Sequence, residues 1–174
     1  HGPLEAPEGN VKACERRPPD GGDNNPVFAA MVGKLDESVG RVLDALERLG
    51  LSASTLVVLT SDNGGVGSYE IMGMTDKQSW TSNLPLNGAK TNLYEGGIRV
   101  PLIARWPGVI EPGSTSGEPV INVDFYPTFV EIAGGRPPEG YRLDGASLAS
   151  VLRSSGRAAL PARDLFWHFP AYTW

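Results

Sequence analysis

The run Thr55-Leu-Val-Val-Leu-Thr-Ser-Asp-Asn-Gly-Gly65 constrains the fold more than any other stretch of this chain. Its apolar, β-branched part, Leu56–Thr60, reads as a strand, and an acid, an amide and two glycines stop it abruptly. A strand apolar on both faces needs cover on both sides, and a helix feeding it points to an α/β fold with a parallel sheet. In open α/β sheets, ligands bind beyond the carboxyl ends of strands, which is where Asp62, Asn63, Gly64 and Gly65 fall.

With 174 residues, 40% of them hydrophobic, the chain is long enough for one domain with a core. The net charge of −5 and the lack of a Lys/Arg cluster argue against a nucleic-acid partner. No apolar run reaches the roughly 20 residues of a membrane-spanning helix. The opening His1-Gly-Pro-Leu-Glu-Ala-Pro lacks the basic and apolar regions of a signal peptide. The single cysteine, Cys14, excludes an intrachain disulfide.

Residues 1–25 are rich in Pro, Gly and Asn and read as a loop or extended lead-in. Asn25-Pro26 then starts a helix: an amide cap followed by proline at the first helical position. Phe28, Met31, Leu35, Val39, Val42, Leu46 and Leu49 recur at three- and four-residue steps, and Gly50 ends the helix in the left-handed conformation. Residues 64–84 read as a polar loop carrying Trp80, and Val100–Trp106 as a second buried strand closed by Pro107-Gly108. Asp124–Ala133 and Ala146–Arg153 read as short helices, and Phe166-Trp-His-Phe-Pro170 as the start of a strand.

Asp62 and Asn63 supply hard oxygen ligands, which suit Ca²⁺ or Mg²⁺ rather than Zn²⁺. Two such ligands fill only part of a calcium shell, and the same four residues 62–65 also fit an ordinary tight turn. Gly64 and Gly65 let the backbone turn sharply and approach a ligand. Lys90 is a point cation able to hold an oxyanion, and also fits a solvated surface lysine. Glu95 and Arg99, four residues apart around Gly96-Gly97, read as a structural ion pair bracing a turn. His1 and His168 are the chain's two histidines, the usual proton donors and acceptors near neutral pH. His168, among aromatics, also fits a packed residue. Cys14, in Cys-Glu-Arg-Arg-Pro-Pro, has no surroundings that would activate a thiol and reads as incidental.

Taken together, these segments resemble the type I sulfatases of the alkaline-phosphatase superfamily, in order and over nearly the whole chain. The resemblance rests on His1-Gly-Pro, the helix segment Leu35-Asp-Glu-Ser-Val-Gly-Arg-Val-Leu43, Thr60-Ser-Asp-Asn-Gly-Gly65 and Leu86-Asn-Gly-Ala-Lys-Thr. It continues through Tyr94-Glu-Gly-Gly-Ile-Arg-Val-Pro-Leu102, Val123-Asp-Phe-Tyr-Pro-Thr-Phe129 and Leu143-Asp-Gly-Ala-Ser-Leu148. The last two are structural markers rather than chemistry. The implied fold is α/β: an alkaline-phosphatase-like mixed, mainly parallel sheet flanked by helices, incomplete on its N-terminal side. The chain is then one partial sulfatase domain over residues 1–174. Residues 1–25 form the lead-in, 26–135 the α/β core portion and 136–174 the start of the C-terminal portion.

The resemblance also implies roles. Asp62 and Asn63 are calcium ligands, Lys90 contacts the sulfate, and His1 lies beside the sulfate and the leaving-group oxygen. Trp80, in the loop that forms part of the substrate wall, is a stacking surface for a sugar or aryl ring. The family's nucleophile is a formylglycine made from Cys or Ser in Cys/Ser-x-Pro/Ala-x-Arg, a motif absent here, so it is expected in a missing N-terminal half. Gly88-Ala-Lys-Thr stands where the family usually has Gly-Gly-Lys-Gly. Ala171 replaces a histidine near His168, so no catalytic role carries over to that stretch. The implied substrate is an aryl or carbohydrate sulfate, and the implied location periplasmic or secreted. Two other readings stay open: a phosphate or phosphonate ester hydrolase of the same superfamily, and a non-catalytic sulfatase fragment that binds calcium or sulfated sugars. Asn63 weighs against the first, since relatives with two transition metals place His there.

Overall fold

The computed structural model describes residues 4–17, 25–67 and 81–170. His1 and Trp80 lie outside these described residues. Helix α2, Pro26–Arg48, follows from its caps. The Asn25 side chain accepts from the backbone N–H groups of Val27 and Phe28 at 3.0 and 3.1 Å, and proline occupies the first helical position. Leu49 closes the helix, and Gly50 takes a φ of 68°.

A second helix, α1 (Glu8–Glu15), precedes it and packs against it. This corrects the reading of residues 1–25 as a loop. Pro7 sits just ahead of the first turn and its carbonyl accepts from Asn10 and Val11. Glu8 and Lys12, four apart, pair at 2.5 Å. Asn10, Val11 and Cys14 form the half-buried face of α1. A two-turn helix held by its neighbour leaves almost no periodic signal of its own.

Strands β1 (Val57–Thr60) and β2 (Leu102–Arg105) pair in a two-stranded sheet. Thr60 Oγ1 donates to the Pro101 carbonyl at 3.0 Å, which puts the end of β1 beside the start of β2, so this pair runs antiparallel. The parallel partner expected for β1 is therefore not β2. A parallel pair needs a long crossover, and the only helix in the described part of this connection is the single turn α3 (Glu95–Ile98). Nor are the strands buried on both faces: Leu59, Leu102 and Ile103 are exposed. On α2, Val32, Leu35 and Val42 also face solvent, as does Leu49 just past its end. The apolar patterning is real, but the described residues do not supply its cover.

The chain divides into two compact units. The first comprises the described parts of His1–Gly50, Leu59–Ile103 and Trp167–Trp174, with Ala30, Ala89, Gly96 and Gly97 among its buried residues. The second comprises Leu51–Val58 and Ala104–Phe166. Its core gathers around helix α4 (Phe125–Ile132) and helix α5 (Ala149–Arg153), with Thr128, Leu148, Ala149 and Val151 buried.

At the centre of the second unit lies Asp124, fully buried at the end of a 3₁₀ turn, Asn122–Asp124. Its carboxylate accepts from the backbone N–H groups of Ile121 and Ala146 at 3.0 and 2.9 Å. Arg163 adds a bidentate pair at 2.5 and 2.6 Å. Burial works to raise the carboxyl's pKa, but the hydrogen bonds from Arg163, Ile121 and Ala146 outweigh it and hold it below its ordinary value. Thr128 continues the network: its hydroxyl donates to the Asp124 carbonyl and accepts from Leu148 N–H at 2.8 Å. These contacts hold Ala146–Leu148 as a loop, so α5 begins at Ala149 rather than at Ala146 as expected. α4 agrees with its expected span and ends at Gly134, φ 74°. Residues 166–170 form no strand: Phe166 is 80% exposed and no described strand runs beside it.

Candidate active site

β1 ends at Thr60 and delivers Asp62 and Asn63 to the turn that follows. Ser61 Oγ donates to the Asn63 carbonyl at 2.8 Å, and Asn63 Nδ2 donates to the Gly64 carbonyl at 3.2 Å. The Asn63 amide oxygen is not used in that bond. The Asp62 side chain is exposed and forms no ion pair among the described residues.

The next residues dock onto the lysine segment. Gly64 N–H donates to the Gly97 carbonyl at 2.9 Å, and Lys90 N–H donates to the Gly65 carbonyl at 3.0 Å. Lys90 thus lies on a loop fastened to the chain two residues beyond Asn63. Lys90 is half-buried and, among the described residues, forms no salt bridge. The next residue, Thr91, takes a φ of 81°, a conformation unfavourable for a β-branched side chain.

The glycines have a different job from the one expected. Neither Gly64 nor Gly65 has a positive φ. A Cβ on Gly64 would collide with the Gly96 carbonyl oxygen, and one on Gly96 with the Gly88 carbonyl oxygen. A Cβ on Gly97 would meet the carbonyl oxygens of Asn92 and Ala89. Gly64, Gly96 and Gly97 therefore let one stretch of backbone lie directly on another, with no flexible side chain to give way. Gly64→Ala is expected to cost about 1–3 kcal/mol as overpacking against rigid backbone. Urea unfolding of the variant beside Gly33→Ala checks this, since a Cβ on Gly33 meets nothing within 4 Å.

A residue that the sequence reading passed over holds this site together. Asn83 Oδ1 accepts from Gly65 N–H at 3.0 Å, and its Nδ2 donates to the carbonyls of Gly65 at 2.9 Å and Gly88 at 3.1 Å. Next to it, Thr81 Oγ1 accepts from Gly67 N–H at 2.9 Å. Asn83 sits in a polar loop and its partners are 18 and 5 residues away, so no local pattern marks it. Glu95 and Arg99 do pair, at 3.0 Å, but both are well exposed, so the pair braces the turn only weakly. His168 is exposed, and Cys14 is half-buried in the last turn of α1. Among the described residues no group of three or more His, Cys, Asp or Glu could hold a metal ion. The roles expected of His1 and Trp80 fall outside the described residues.

The profile of the family described as Sulfatase matches residues 1–135. The chain belongs to the sulfatase family. It is 44% identical over 156 residues to a sulfatase of Formosa agariphila, a match that covers 83% of this chain and 26% of that protein. It is 42% identical over 137 residues to the steryl-sulfatase of Rattus norvegicus, covering 74% of this chain and 23% of the other. Among solved structures, that of Ps i-CgsB in complex with k-i-k-neocarrahexaose superimposes with a TM-score of 0.75 at 29% identity. That match covers 90% of this chain and 32% of Ps i-CgsB. The chain thus spans about a quarter of the length of the curated relatives it matches.

Proposed function

We propose that this chain supplies part of the active site of a sulfuric ester hydrolase. The observation that carries the reading is the bond from Lys90 N–H to the Gly65 carbonyl, 3.0 Å, which ties the lysine loop to the Asp62–Asn63 turn. A carboxylate and an amide oxygen at adjacent positions fit a hard cation, as two of the six to eight oxygens that calcium takes. Asp62 and Asn63 would hold that ion. Bound there, calcium supplies polarisation of the sulfate oxygens. The Lys90 ammonium offsets the charge that grows on the sulfuryl oxygens as the S–O bond breaks. His1 gives a proton to the leaving oxygen, and Trp80 offers a stacking face to an aryl or sugar ring. The attacking oxygen belongs to a formylglycine expected outside these 174 residues. With calcium as the ion, a periplasmic or secreted location is part of the same proposal.

Asn63 also ranks sulfate above phosphate, because an amide oxygen suits one hard cation better than a zinc pair. The test uses the polypeptide encoded with its flanking sequence. It is expected to hydrolyse an aryl sulfate in preference to the matching aryl phosphate, to lose turnover on chelation and to regain it with Ca²⁺. Faster turnover of the phosphate, or two zinc ions found by metal analysis, would overturn the reading.

A further inference from the structure

We propose that Asn83 is a positioning residue that sets the placement of Lys90 against the Asp62–Asn63 turn; this rests on the sulfatase reading above. Its amide makes three hydrogen bonds with two backbone segments. It accepts from Gly65 N–H (3.0 Å), donates to the Gly65 carbonyl (2.9 Å) and donates to the Gly88 carbonyl (3.1 Å). Gly65 lies two residues beyond Asn63, and Gly88 two residues before Lys90. One planar side chain therefore fixes the spacing of the two segments that carry the proposed chemistry.

The Gly65 carbonyl takes both the Asn83 amide and the Lys90 N–H, so the staple and the lysine loop share one acceptor. The surrounding contacts leave little room for a substitute. A Cβ on Gly65 would lie 2.8 Å from Asn83 Oδ1, and Gly88, with a φ of 86°, offers its carbonyl to the same amide at 3.1 Å. An aspartate keeps the acceptor for Gly65 N–H but turns an anionic oxygen toward the two carbonyls, so it cannot replace the amide. Asn83 does not touch substrate in this scheme. It acts through the lysine loop, and a displacement of about 1 Å in a catalytic group costs on the order of a hundredfold in rate.

The experiment compares wild type, Lys90→Ala, Asn83→Ala and Asn83→Asp in the polypeptide with its flanking sequence. Loss of turnover in Lys90→Ala first establishes that the lysine works on the sulfate. Asn83→Ala and Asn83→Asp are then expected to lower kcat by roughly 30- to 100-fold with KM changed less than about threefold. In Asn83→Ala, amide exchange at Gly65 and Lys90 should quicken about tenfold, as expected when the side-chain hydrogen bonds that hold Gly65 and Gly88 are lost. A merely structural asparagine would shift Tm and leave the kcat of the folded fraction unchanged, and that result overturns the proposal. If the wild type itself turns over no sulfate ester, the functional reading fails, and the positioning proposal falls with it. Exchange at Gly65 and Lys90 unchanged in Asn83→Ala would overturn the staple whatever the activity.

Discussion

Lys90→Ala is expected to lower kcat/KM on a sulfate ester by about 10²–10³ in the polypeptide expressed with its flanking sequence. The structure makes this substitution an unusually clean one. Lys90 is fastened to Gly65 through its backbone N–H, which alanine retains. Gly96 and Gly97 lie on the carbonyls of Gly88, Ala89 and Asn92, and none of those contacts involves the lysine side chain. Truncation therefore removes the ammonium and leaves the loop in place, so Tm and the circular dichroism spectrum should match wild type. The size of the effect follows from what the ammonium does. A fixed cation aimed at developing charge contributes about 3–4 kcal/mol to the transition state. Lys90→Arg should restore only part of the rate, because a planar fork is a poor replacement for a point charge in a half-buried place. Wild-type turnover in Lys90→Ala would remove the lysine from the sulfate.

How much of this was legible in the sequence depends on the distance over which each signal acts. The cap of α2 was readable, because Asn25 satisfies groups only two and three residues away. The end of β1 at a carboxylate and an amide was readable for the same reason. The Glu95–Arg99 pair follows from helical spacing. What escaped depends on partners remote in the chain. Asn83 looks like any loop asparagine until Gly65 arrives from 18 residues away. Glycines 64 and 65 invite a turn argument, whereas Gly64 is required by the Gly96 carbonyl lying against it and Gly65 by the Thr81 and Asn83 side chains. α1 is only eight residues long and rests on α2, so its own periodicity is too brief to register. The expected strand start at 166–170 is not there, because aromatic residues describe a surface that fits a sheet and do not supply a neighbouring strand. The segments around Asp124 and Ala146 meet on one carboxylate, a convergence beyond any local pattern.

Asp124 carries the second large expected effect, on stability. Arg163→Met is expected to destabilise the second unit by about 3–5 kcal/mol, because it leaves a fully buried carboxylate without its counter-charge. Asp124→Ala should cost a similar amount by a different route. It strips the acceptor from Ile121 N–H and Ala146 N–H and leaves the guanidinium, with a side chain only 20% exposed, facing a hole. The pH dependence separates these variants from wild type. Burial pushes the Asp124 carboxyl up, and the bonds from Arg163, Ile121 and Ala146 more than reverse that, so its folded pKa lies below the unfolded value of about 3.9. A depressed carboxyl contributes stability that is complete above the unfolded pKa and drains away as pH falls toward the folded one. Wild type should therefore hold a plateau above about pH 4–5 and lose stability steeply on further acidification. Asp124→Asn, with no proton to take up, should start lower and lose less over that acid range. Urea titrations by circular dichroism between neutral pH and pH 2.5 read both effects. Parallel acid limbs for wild type and Asp124→Asn would mean that the carboxylate titrates alike in folded and unfolded chains, and would overturn the assignment of acid stability to this group.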